Sequence, residues 1–188
     1  MDPIKTAAYA TLAILAVFDL RWRRLPNLGV AGLAALYIFH AALTGSGRAT
    51  LEAHAAVAAL ALAAGALLFR LRWLGGGDAK LAAAVFLWAG PTYAILVLLI
   101  VSVCGSFIGL AMLALGITAR STALRKFADR LAWVTPKRGV PYGVALAAGG
   151  IVAVLLQPAY IGRAKLALFG PSSLHQIGFA LVHHARLA

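Results

Sequence analysis

The chain has 188 residues, 63% of them hydrophobic and 12% charged, where a soluble domain carries roughly 25% charged residues. That much apolar surface cannot be hidden inside one water-soluble fold of this length, and it excludes disorder as well. Seventeen Lys and Arg against five Asp and Glu give a net charge of +12, yet the basic residues fall in short gaps between apolar runs, which points to membrane topology and anionic lipid headgroups and not to nucleic acid.

The apolar runs predict an all-α, multi-pass membrane bundle of about six transmembrane helices. The first covers Ile4 to Phe18 and stops at Asp19. It reads as a retained helix: Lys5 is its only early cation, no small-residue cleavage site precedes Asp19, and an Arg-rich segment follows. The second run is Leu28 to Leu43 and the third Leu51 to Phe69. The fourth starts at Ala79 and is interrupted at Ala89-Gly90-Pro91. The fifth is Tyr93 to Ile117 and the sixth Val140 to Leu156. Between the last two, Ser121 to Val134 sets Leu124, Phe127 and Leu131 on one helical face and Arg125, Lys126 and Arg130 on the other. That pattern predicts a cytoplasmic amphipathic helix lying on the inner leaflet. A membrane-embedded unit is expected over residues 1–157. The tail, 158–188, carries a weaker stripe at Leu174, Ile177 and Leu181 that suits an interfacial helix.

Orientation follows from the cations. Arg21, Arg23 and Arg24 follow the first run, Arg70, Arg72 and Lys80 the third, and Arg120 through Arg138 the fifth. The alternate gaps hold Arg48 and, around Pro91, nothing. The positive-inside rule makes the basic side cytoplasmic, with both termini outside.

The carboxylates carry more information. Asp2 is terminal, Glu52 starts the third run, and Asp129 sits beside Arg125, Lys126 and Arg130. Asp19 and Asp78 differ, because each bounds a hydrophobic helix on the cytoplasmic side, where an ionisable group at membrane depth is costly. Asp19 lies at a helix C-terminus, where the macrodipole disfavours an anion, so helix stability gains nothing from it. Asp78 closes Gly75-Gly76-Gly77 and could serve as an N-cap, but three glycines exceed what a cap requires. A helix from Ala79 to Trp88 would rise about 15 Å, so the glycine loop would dip inward and Asp78 would line a cavity open to cytoplasmic water. Two carboxylates at one end of a bundle suggest a dyad: one acts as base toward a shared water, the other keeps a proton and polarises a peptide carbonyl. The lone Cys104 rules out a disulfide framework, Cys-based zinc and Cys-x-x-Cys redox chemistry. His40 and His54 fall toward the opposite side, and His183 and His184 read as surface residues. No metal or cofactor is implied.

Asp19-Leu-Arg-Trp-Arg-Arg-Leu25-Pro26-Asn27 resembles the prepilin peptidase signature of an aspartate, five variable residues and Ile-Pro-Asn, with Leu25 in place of Ile. Gly75-Gly76-Gly77-Asp78-Ala79-Lys80 resembles the second signature, Gly-x-Gly-Asp-x-Lys. Val140-Pro141-Tyr142-Gly143 resembles the opening of that family's C-terminal helix, a structural or substrate-groove element. The resemblance covers roughly residues 5 to 157. It implies a prokaryotic inner-membrane aspartyl protease whose aspartates map onto Asp19 and Asp78. Such an enzyme removes the basic leader of type IV-like prepilins, each itself a hydrophobic helix, at the cytoplasmic face. Larger members carry an insertion with two Cys-x-x-Cys pairs and N-methylate the product. This chain lacks such an insertion, so N-methyltransferase activity is not expected of it, and it looks most like the short peptidases of tight-adherence (Flp-type) pilus systems. Lys80 either tunes the dyad electrostatically or snorkels to the interface, and Pro26 and Asn27 shape the start of the second helix. Two alternatives stand beside this reading. One is another intramembrane Gly-x-Gly-Asp protease, which Leu25-Pro26-Asn27 argues against. The other is a non-enzymatic transporter or pilus-assembly subunit whose aspartates carry protons or hold partners.

Overall fold

The computed structural model describes residues 2–118 and 141–158. The predicted amphipathic helix at 121–134 and the tail beyond Pro158 lie outside the described residues. Within them the chain forms five helices and no strand: α1 (Pro3–Trp22), α2 (Asn27–Leu43), α3 (Arg48–Arg70), α4 (Gly76–Thr118) and α5 (Tyr142–Leu156).

Local chemistry sets the helix ends. Asp2 Oδ1 accepts the Ile4 amide at 3.1 Å and Pro3 opens α1, an N-cap followed by a residue with no amide to satisfy. The helix closes at Arg23, which takes a left-handed conformation (φ 53°) and donates its amide to the Asp19 carbonyl. Pro26 then fixes the entry to α2. Inside α4, Gly90 has φ 60° and ψ −174°, and Pro91 follows. A left-handed glycine stops a helix, and a proline suits the first turn of the next. The interruption expected at 89–91 is therefore real and divides α4 into two arms, 76–89 and 91–118.

Contacts with α5 show that these arms run in opposite directions. Along the first arm, Val85 meets Gly150 and the Trp88 carbonyl meets Gln157. Along the second, Val97 and Val101 meet Gly149, while Gly105 lies beside Tyr142. α4 is thus a helical hairpin, and the chain passes between the two ends of the bundle in alternating directions. One end holds Asp19, Asn27, Asp78 and Gly143. The other holds Lys5, His40, His54, Gly90 and Gln157.

α5 is the central element. Gly143, Ala145, Ala147, Gly149, Gly150 and Ala153 are all buried, and small side chains let α1 and both arms of α4 approach it closely. The core is completed by Leu12 and Leu15 of α1, Leu33 of α2, and Leu81, Val85 and Trp88 of the first arm, all fully buried. α3 is peripheral, with only His54 and Gly65 buried. Large apolar side chains cover the outside: Leu28 is 87% exposed, Ile95 75% and Leu60 71%. Such a surface is stable against hydrocarbon and not against water. Among the described residues three helices, Pro3–Trp22, Arg48–Arg70 and Gly76–Ala114, are long and apolar enough to cross a membrane, while Asn27–Leu43 and Tyr142–Leu156 are apolar but shorter. Over the described residues the chain is all-helical, and its long apolar helices make it a membrane protein.

Candidate active site

On α1 the buried residues are Ile4, Ala8, Leu12, Leu15 and Asp19. The spacing of three and four residues is one helical face, so the carboxylate continues the stripe that packs into the core. Asp19 is only 5% exposed. It is received by the start of α5, where the Gly143 and Val144 amides donate to its carboxylate. Those amides belong to a helix N-terminus, which lacks internal partners and favours an anion. Gly143 permits the approach: a Cβ there would stand 2.7 Å from Asp19 Oδ2, 2.8 Å from Cγ and 2.9 Å from Cβ.

Asp78 reaches the same place from the first arm of α4. The helix begins at Gly76, within the glycine run, so the expected ten-residue helix from Ala79 is longer and starts earlier. Asp78 is the third helical residue and not the cap. Its carboxylate folds back to accept the Gly75 amide, which is half of a capping box. A Cβ on Gly75 would come within 2.7 Å of Asp78 Oδ2. The run therefore makes the helix's first turn and allows its acid to fold back over it.

Asp19 and Asp78 line one cavity of about 360 Å³, together with Arg23, Arg24, Leu25, Asn27, Lys80 and the three glycines. The two carboxylates act on each other electrostatically, and Arg23 acts on both. Asp19 Oδ2 and Asp78 Oδ1 are buried and have no hydrogen-bond partner among the described residues. Two acceptors in a polar cavity of this size can hold a water or a peptide group between them.

The motif residues are joined directly. Lys80 Nζ donates to Asn27 Oδ1 at 3.1 Å, and Leu25 packs against Gly77. This favours a strap between the two motifs over simple snorkelling. The bond is exposed, so it is worth about 1 kcal/mol or less. A double-mutant cycle of Lys80→Met and Asn27→Leu, read as melting temperature in detergent, is expected to give a coupling of that order.

Pro141 is buried and caps α5, and Tyr142 turns away from the acids to line a separate apolar groove. Arg23 and Arg24, read from sequence as topology signals alone, are cavity residues. So are the backbone amides at 143 and 144 partners of an acid, which no side-chain pattern announces. No three His, Cys, Asp or Glu side chains gather among the described residues.

No match was found among curated proteins or solved structures. The sequence profile of the type IV leader peptidase family matches residues 6–110, a stretch that includes both aspartates, Leu25-Pro26-Asn27 and the glycine run, and stops before α5. With more than half its length in that match, the chain belongs to the type IV leader peptidase family.

Proposed function

We propose that the chain is an aspartyl endopeptidase that removes the leader of a type IV-like prepilin of the Flp type, using Asp19 and Asp78 as a dyad at the cytoplasmic face of the inner membrane. The observation that carries the reading is the shared cavity lined by Asp19 and Asp78, each of which keeps a buried carboxylate oxygen with no hydrogen-bond partner among the described residues. In the mechanism the ionised acid takes a proton from water, the hydroxide attacks the scissile carbonyl, and the protonated acid supplies the proton that the leaving amine needs. No step calls for a metal or cofactor. The cations at the site end of the bundle, Arg21, Arg23, Arg24, Arg70 and Arg72, support a cytoplasmic placement, and the alternating helix directions suit six crossings.

Substrate docking uses the apolar groove of about 960 Å³ between α3, the hairpin of α4 and α5. Its Leu74 and Tyr142 are next in sequence to Gly75 and Gly143, which touch the two acids. A hydrophobic helix lying there brings its leader junction to the cavity. Gly109 lines the groove and has open space where a Cβ would go, so Gly109→Leu is expected to raise KM several-fold with little change in kcat, the signature of lost uniform binding.

Co-expression with a candidate prepilin tests the function, with leader removal read on a gel and the new N-terminus by mass spectrometry. A transporter or assembly subunit would leave the prepilin intact. A protease of the helix-cutting kind would cleave inside the apolar segment.

A further inference from the structure

The end of the bundle opposite the acids is polar, and leader cleavage does not use it. There the first arm of α4 stops, and the last carbonyls of a helix have no partner within it. Inside a membrane each unmet carbonyl is costly. Two side chains from other helices meet them. His54 of α3 approaches the Leu87 carbonyl with Nδ1 at 2.8 Å, and Gln157, just past α5, donates Nε2 to the Trp88 carbonyl at 2.6 Å. A carbonyl only accepts, so His54 carries its proton on Nδ1. The imidazole also fills the notch of the turn: a Cβ on Gly90 would stand 2.3 Å from its Cε1 and Nε2. Tyr37 stacks on that ring with centroids 5.1 Å apart and Trp88 donates Nε1 to the Leu33 carbonyl, so the clamp is braced by α2.

We infer that His54 and Gln157 are positioning residues: by capping the first arm of α4 and filling its turn, they fix the direction of the arm that presents Asp78 to Asp19. The arm is one continuous helix from the Gly75–Asp78 turn to the clamp, so a change of its direction at Gly90 is carried to Asp78. This rests on the leader-peptidase reading only for its activity readout.

The test uses the full chain in detergent. His54→Ala and Gln157→Leu are each expected to lower kcat about 10- to 100-fold, the size of effect an ångström of misplacement produces. His54→Asn keeps an N–H donor and is expected to recover most of the loss. A second readout needs no substrate. Trp73 and Phe107 lie near the open ends of the hairpin and are 73% and 72% exposed. Spin labels at Trp73→Cys and Phe107→Cys, with Cys104→Ser, should report a broader distance distribution in both clamp variants and a restored one in His54→Asn. An unchanged distribution, or unchanged kcat where the parent chain cleaves, overturns the inference. If the parent chain cleaves no prepilin, the function is at fault and the label distances still decide the clamp. If His54→Ala does not accumulate in membranes, Gln157→Leu and His54→Asn carry both readouts.

Discussion

Asp19→Asn and Asp78→Asn should each reduce leader cleavage by about 10²- to 10⁴-fold, the span that general acid–base catalysis supplies, which a gel assay reads as none. The substitution keeps shape and leaves an amide oxygen to accept from Gly143 and Val144, or from Gly75, as the carboxylates do. Fold is therefore retained. Stability is expected to be unchanged or slightly raised, because each acid buries an oxygen that meets no donor among the described residues, and a neutral amide is cheaper to bury than a charge. Immunoblots of the membrane fraction and melting curves in detergent check that half of the prediction. The double variant should be no worse than either single one, since groups that act as a unit lose their effect together. Cleavage retained by either single variant, or losses that multiply, would show that the two acids do not share one reaction.

Gly143→Ala tests the cradle and not the acids. Alanine is favoured over glycine within a helix by about 1 kcal/mol, so helix preference alone predicts a gain. The geometry predicts a loss of activity, because the new methyl group would meet not just the carboxylate but the Asp19 Cβ at 2.9 Å. Rotation of the side chain cannot relieve that contact, so α1 or α5 must shift. The expected cost is about 10²-fold in kcat, with protein still inserted. Gly75→Ala makes a useful contrast. Its close contact is the Asp78 Oδ2 at 2.7 Å, with Cγ at an ordinary 3.6 Å. The carboxylate can swing aside, so the loss should be smaller. Kinetics of the two variants on one prepilin settle the order.

The helical, apolar character of the chain was legible, and so were the two carboxylates that the fold brings to one cavity, because hydrophobic runs and the rarity of carboxylates are local signals. The break at Gly90-Pro91 was legible for the same reason: both residues act on their own backbone. The start of α4 was less so, since three glycines look like a loop until the fold back of Asp78 onto the Gly75 amide is seen. Sequence singled out Pro141-Tyr142-Gly143 as a structural or substrate-groove element but not as the cradle of Asp19. Its donors are main-chain amides that any residue type supplies, some 120 positions away in the chain. His54 was placed at the right end of the bundle, but its partner is the Leu87 carbonyl, a group with no sequence signature.

That long separation has a consequence for biogenesis. As the polypeptide leaves the ribosome from its N-terminus, both acids enter the bilayer well before Gly143 and Val144 have been made. Until α5 inserts, Asp19 lacks the amides that meet it in the finished fold. In the proposed mechanism the site is therefore complete only once α5, the last of the described helices, is in place.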